Sequence, residues 1–174
     1  ANHLNATIRS LKTAGLIQQI RVAPRATYRF RHVLMQEVAY ATLLEHRRRA
    51  LHGRVAQAIE ALGNPLPDDQ LERLAHHFSR AELWDKAVHY AVLAADRATT
   101  LAEFSEAMQL LERAQAWLAR LPADARGRAR AVDLLLRRER LGETLGLREL
   151  QQRLIDEMLA LLQPHGDQAQ LAEV

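Results

Sequence analysis

Cysteine is missing from all 174 residues, which removes disulfides, thiolate zinc sites and thiol nucleophiles together. Such a chain must be stabilised by packing, and the absence suits a reducing compartment, so a cytoplasmic location is expected. Aromatic residues make up only 5%, too few for the stacking platforms that hold single-stranded nucleic acid. Lysine is nearly missing as well: only Lys12 and Lys86 occur, and arginine carries the remaining cationic charge. Apolar runs are short, as at Leu134 to Leu136, far below the ~20 residues that span a bilayer. No membrane partner is expected. There is no G-x-x-x-x-G-K-[ST] phosphate loop and no G-x-S-x-G elbow. No catalytic residue is therefore assigned, and the chain itself is not expected to be an enzyme. It opens Ala1-Asn2-His3-Leu4, without an initiator Met or apolar signal segment, and runs out in helical-looking sequence from Ala169 to Val174. The expectation is a segment of a longer polypeptide.

Apolar residues are abundant, at 48%, enough for one core or one continuous repeat spine. The net charge of +3 permits acidic partners without demanding them. Leu4, Ile8 and Leu11 read as a short helix closed by Gly15 as a left-handed cap. The period then changes: Leu16 to Val22 and Thr27 to Phe30 read as two strands around Ala23-Pro24-Arg25-Ala26. A helix followed by a two-stranded wing is the last part of a winged helix.

From His32 onward every segment has helical period. Val33, Leu34, Val38, Tyr40 and Leu44 predict one helix; Leu51, Val55, Ala58, Ile59 and Leu62 predict a second, ending near Gly63 and Pro65. Leu71, Leu74, Ala75 and Phe78 mark a third, opened by Asp68 and Asp69 and ending near Ala81. The next, about 83–98, buries mostly methyl groups (Ala87, Ala91, Ala94, Ala95, Ala98). It is followed by one at about 101–121 with Phe104, Ala107, Leu110, Leu111, Ala114, Trp117 and Leu118, stopped by Pro122. Two more complete the chain: 125–145, rich in Arg, and a stripe of Leu150, Leu154, Ile155, Met158, Leu161 and Leu162 before Pro164 and Gly166. Helices joined by such short loops must run antiparallel, and repeated hairpins stack into a solenoid. Small residues at Ala87, Ala91 and Ala94, and again at Ala107 and Ala114, match tetratricopeptide positions, although the two sets lie ~20 residues apart where a regular repeat has ~34. The fold class expected is therefore all-α: an irregular tetratricopeptide-like helical-hairpin array preceded by a partial winged helix with a small β-hairpin.

The stretch Tyr28-Arg29-Phe30-Arg31-His32-Val33-Leu34-Met35-Gln36-Glu37-Val38-Ala39-Tyr40, with Arg47-Arg48-Arg49-Ala50-Leu51-His52, Leu74-Ala75-His76-His77-Phe78 and Trp84-Asp85-Lys86-Ala87-Val88-His89-Tyr90, resembles a particular bacterial region. It is similar to the part behind the ATPase module in STAND-type signalling ATPases, including those fused to adenylate or guanylate cyclase domains and LuxR/MalT-like transcription regulators. The resemblance covers about residues 4 to 121. It implies the order effector, nucleotide-binding module, winged helix and helical-repeat sensor arm. On that basis residues 1–32 are the C-terminal part of the winged helix and residues 33–174 the repeat region. The implied partners are a protein or peptide and the protein's own ATPase module. No cofactor is implied for this chain, ATP or ADP being held upstream. In related NB-ARC ATPases the His of a Met-His-Asp motif contacts the bound diphosphate. Phe30-Arg31-His32-Val33-Leu34 is similar in register, with Arg31 at the Met and Val33 at the Asp position. The resemblance thus assigns nucleotide sensing to His32, beside Arg31. An imidazole at a helix start can donate a charge-assisted hydrogen bond to phosphate; the plain alternative is that His32 caps or packs at the wing-to-helix junction.

The rival from another class is a DNA-binding regulator fragment. Lys12, Arg21, Arg25, Arg29 and Arg31 would put positive charge on the helix and wing, with Asn5, Arg9 and Ser10 the groups best suited to base edges. Those groups are few, and a winged helix seated on its own ATPase module ranks first. His46, His52, His76 and His77 lack metal-ligand spacing, because adjacent residues on a helix point about 100° apart, and no metal site is assigned. Of His76 and His77, one is expected to pack near Phe78 and the other to face water. The arginine runs at 47–49, 126–130 and 137–138 read as solvated faces, with Glu139 and Glu143 near enough to pair.

Overall fold

A computed structural model describes residues 2–22, 26–61 and 68–162 of the chain. The hairpin tip with Arg25, the loop from Gly63 to Pro67 and the stop signals at Pro164 and Gly166 lie outside the described residues. The order is α1 (Asn2–Thr13), β1 (Ile17–Arg21), β2 (Thr27–Phe30), α2 (Val33–Ala41), α3 (Glu45–Glu60), α4 (Asp68–Arg80), α5 (Trp84–Thr100), α6 (Phe104–Leu118), α7 (Ala125–Thr144) and α8 (Arg148–Leu162). The class is all-α with one small antiparallel hairpin. The chain forms two compact units that divide between Arg48 and Arg49. The division falls inside α3, and α2 packs on β2.

In the first unit, Gly15 adopts φ +70°, so that Leu16 N–H reaches Leu11 O (3.0 Å) and Gly15 N–H reaches Lys12 O (3.0 Å), closing α1 and turning the chain into β1. The strands pair Ile17 with Phe30, Gln18 with Arg29 and Gln19 with Tyr28. Arg21 then faces Thr27, leaving Ile20 as the extra residue of a bulge. The expected helix through Leu44 breaks instead at Thr42. Thr42 Oγ1 donates to Ala39 O (2.8 Å), and the Arg48 guanidinium donates to Leu43 O (2.8 Å) and Ala41 O (2.7 Å). A side chain thereby satisfies carbonyls that a continuing helix would have paired, and the chain leaves the helix without orphaned acceptors. The same guanidinium lies over the Tyr40 ring, 4.8 Å from its centroid.

The second unit is a run of helices in which α4, α5, α6, α7 and α8 each pack on the next. The turns α4–α5, α5–α6 and α7–α8 share one design. Glu82 (φ 58°), Ala102 (φ 60°) and Gly146 (φ +70°) take the left-handed conformation. Leu83 N–H then bonds Phe78 O, Glu103 N–H bonds Ala98 O and Leu147 N–H bonds Gly142 O, at 3.0, 2.8 and 2.8 Å. Each turn reverses the chain within three residues, so neighbouring helices lie antiparallel. On α5 the buried stripe is Ala87, Val88, Ala91, Ala94, Ala95 and Ala98, together with Tyr90. Methyl-sized groups let α4 and α6 approach closely, and the volume is filled from their side by Leu74, Phe78 and Leu111, all 2% exposed or less. Full burial of such a side chain contributes about 1.5–3 kcal/mol. Phe78 also stacks on Tyr90, with centroids 5.5 Å apart and planes at 9°.

Two features of this unit differ from what the sequence pattern alone suggests. Leu51 and Val55 do not form the inner face of α3; both are exposed, and Gly53, Ala56 and Ile59 are buried in their place. The arginines of α7 pair mainly with earlier helices and not with Glu139 or Glu143. Arg130 binds Asp85 on α5 (2.5 Å), Arg137 bridges Asp96 on α5 and Asp133 in its own helix, and Arg138 binds Glu112 (3.1 Å) and Gln115 on α6. Glu139 accepts instead from Gln151 on α8 (2.9 Å). Exposed pairs of this kind contribute about 0–1 kcal/mol each, but together they fix the register of α7 on the array.

Candidate interaction surfaces

The first unit carries the residues singled out in the sequence. Asn5, Arg9 and Lys12 are exposed on α1, and their spacing of four and three residues places them on one face. Lys12 Nζ donates to Gln19 Oε1 on β1 (3.1 Å), and Arg9 Nε to Asn5 O (3.4 Å). Arg29 is exposed on β2 opposite Gln18. Arg31 is tied by its backbone N–H to Leu16 O (3.0 Å), and its guanidinium passes 3.7 Å from where a Gly15 Cβ would stand. Arg25 lies outside the described residues.

His32 is the N-cap of α2, with extended backbone (φ −131°, ψ 136°) and no side-chain capping bond. Its carbonyl accepts from Met35 N–H (3.1 Å) and Gln36 N–H (3.4 Å), and its imidazole is exposed. The residue therefore starts the helix through its backbone and leaves its ring pointing outward from a helix N-terminus, where orphan N–H groups favour an anion.

More of this unit's surface is apolar than the charged candidates indicate. α2 has no buried residue: Val33 is 69% exposed, Leu34 72% and Val38 63%. Ile20, Val22, Phe30 and Leu44 are exposed beside them in the chain. Helical periodicity marks Val33, Leu34 and Val38 as the apolar side of a helix, and in the structure that side is exposed. A nine-residue helix has little stability of its own, and α2 leaves its large apolar side chains exposed.

The second unit has an open groove of about 470 Å³ between the end of α6, the connector behind it, α7 and α8. Leu118, Leu121, Ala131, Leu135 and Leu161 give it an apolar lining, with Arg128 and Glu157 as charged groups. Gly127 shapes this region: a Cβ there would stand 2.8 Å from Pro122 O. Its N–H is instead accepted by Asp124 Oδ1 (2.7 Å), which caps α7. Elsewhere His52 of α3 meets His76 and His77 of α4, a grouping that spacing along one helix could not reveal. His76 faces water and His77 is half-buried.

These features define a mostly helical, repeat-like array joined to a small helix-and-hairpin unit, with exposed apolar side chains in both. No helix among the described residues is long and apolar enough to cross a membrane. No family model matches the chain, and no solved structure matches it significantly. Over 105 residues, 60% of this chain, it is 33% identical to an uncharacterized protein of Rhizobium meliloti (strain 1021). The chain spans about 10% of the length of that relative.

Proposed function

We propose that this chain is a protein-interaction and relay segment of a larger signalling protein, with a tetratricopeptide-like array as sensor arm and the helix-and-hairpin unit as the part that docks on a nucleotide-binding module. The observation that carries the reading is α2, whose Val33, Leu34 and Val38 are all more than 60% exposed. Burying them against another domain supplies the stability that nine residues cannot supply alone. The partner is a second domain of the same long polypeptide, a reading supported by a relative ten times longer than the shared stretch. It also agrees with the resemblance of this region to STAND-type ATPases. His32 sits at the edge of that surface with its ring free of capping duty, and is assigned contact with a nucleotide phosphate, Arg31 beside it. The apolar groove beside Gly127 takes the side chains of a protein or peptide ligand.

The test is hydrogen exchange over residues 33–41, measured in the full-length polypeptide and in this chain alone. At least tenfold slower exchange in the full-length protein is expected; equal rates would overturn the docking reading. His32→Ala is expected to lower nucleotide retention by the full-length protein, and unchanged retention would remove the phosphate role.

A second reading rests on the shared face of Asn5, Arg9 and Lys12: a DNA-binding regulator fragment. It predicts a salt-dependent mobility shift with a duplex, weakened by Arg9→Ala and Lys12→Ala; failure to bind any duplex excludes it.

A further inference from the structure

The cluster of His52, His76 and His77 has no part in the reading above. α3 and α4 bring one ring nitrogen from each within 4.8 Å of the others, and the two closest, Nδ1 of His52 and Nδ1 of His77, are 2.8 Å apart. Ring centroids are 5.1 to 5.8 Å apart. Rigid neighbours set this geometry. Leu74, Ala75 and Phe78 bury the opposite face of α4. Gly53, next to His52, is itself buried and lets the Ala81 methyl come within 3.6 Å of where its Cβ would be. Adjacent histidines leave a helix about 100° apart, yet the rings of His76 and His77 come to 5.4 Å; the third imidazole arrives from another helix.

We infer that these three imidazoles form a binding site for a divalent transition-metal ion of the zinc class, clamping α3 to α4 with water in the remaining position. The donor set is all nitrogen and contains no carboxylate, which selects zinc and its neighbours over magnesium or calcium. Zinc holds imidazole nitrogen at about 2.0–2.1 Å, so tetrahedral ligand atoms lie ~3.3 Å apart. The present spacings, 2.8 Å for the closest pair and within 4.8 Å for all three, bracket that value. His76 is exposed and the other two are half-buried, so an ion can enter from the His76 side.

The surroundings of the rings act on their protonation. Burial, before any charge effect, lowers the pKa of all three rings, His77 to about 4. Arg80 adds to this for His52 and His76, Arg113 for His76 and Arg73 for His77, and Glu72 opposes it at His76. Burial and the neighbouring arginines thus both disfavour the protonated rings. The same arginines repel a cation, so moderate affinity is expected.

The test uses chelator-treated protein titrated with zinc chloride, with magnesium chloride as control. One zinc per chain is expected, with no magnesium binding. Loss of a residue that merely supports a ligand lowers metal affinity about 10–100-fold, so His52→Gln and His77→Gln should each weaken zinc binding at least tenfold. The exposed His89→Gln should leave it unchanged. In the unaltered protein, bound zinc should protect His52, His76 and His77, and not His89, from carbethoxylation mapped by mass spectrometry. This second measurement decides the matter even where a variant misfolds. Absence of saturable binding, binding indifferent to His52→Gln, or no selective protection would each overturn the site.

Discussion

Three turns of the array share one hydrogen-bond pattern but place different residues in the left-handed position, and this permits a controlled test. The left-handed conformation costs an L-residue about 1–2 kcal/mol, whereas glycine adopts it freely but loses about 0.5–1 kcal/mol more chain entropy than alanine on folding. Ala102 sits at φ 60° and is exposed, so these two terms dominate its energetics. Ala102→Gly is expected to stabilise the protein by about 0.5–1 kcal/mol, the difference between them. Gly146 sits at φ +70°, and no described atom lies within 4 Å of a Cβ built there. Gly146→Ala therefore adds strain without a clash and should destabilise by the same amount. Urea unfolding read by circular dichroism, with a common denaturant slope, gives both values. In a thermal melt each 1 kcal/mol corresponds to about 2–4 °C for a chain of this length. A destabilising Ala102→Gly or a stabilising Gly146→Ala would refute the assignment of left-handed turns to these positions.

The bond from Tyr90 Oη to Glu60 Oε1 (2.7 Å) ties α5 to the end of α3 and makes stability depend on pH at both extremes. The hydrogen bond from Lys86 is the largest of several effects that hold the Glu60 carboxyl below its ordinary value, a second being the one from Tyr90. This stabilisation is present above the ordinary carboxyl pKa and is lost as pH falls through the lowered one. Burial, then Glu60, pushes the Tyr90 phenol from 10.0 up to about 12, so its contribution is full below pH 10 and is lost as pH rises towards 12. Tyr90→Phe should flatten that alkaline decline in urea midpoints; an unchanged decline would mean that the phenol is not held as described. Gly127→Ala would ordinarily gain about 1 kcal/mol of helix propensity. A Cβ placed 2.8 Å from a backbone carbonyl oxygen costs more, about 1–3 kcal/mol, so the melting temperature should fall; a rise would show that the connector behind α6 can move away.

Helices were legible wherever local pattern and tertiary role agree. The alanine stripe of α5 declares its buried face because a run of methyls at helical spacing suits little else, and Gly15 announces the end of α1. The turns at Glu82 and Ala102 carry no such mark. Their conformation is imposed by the packing of the helices on either side, so the sequence gives approximate helix ends without the turn geometry. α3 differs for a related reason: Leu51 and Val55 are its larger apolar residues, but they are exposed, and Gly53, Ala56 and Ile59 are buried, with the Ala81 methyl 3.6 Å from where a Gly53 Cβ would stand. The break after α2 depends on Arg48 reaching back to two carbonyls, an event that propensity along the chain cannot anticipate.

The candidate sites follow the same division. His32 at a helix start could be read from the register of Phe30 to Leu34, since an N-cap is a local property. The three-histidine cluster could not, because it joins positions 25 residues apart through the packing of α3 on α4. α2 is the most instructive case. Its apolar spacing marks one side of a helix, yet none of its residues is buried. Periodicity records that a helix has an apolar side; it does not record what covers that side. When the chain's own elements leave the side open, the mismatch between apolar pattern and exposure becomes evidence about a partner. On the proposed docking reading, the covering surface is apolar opposite Val33, Leu34 and Val38 and reaches the His32 end of α2, so that the imidazole takes part in the same contact.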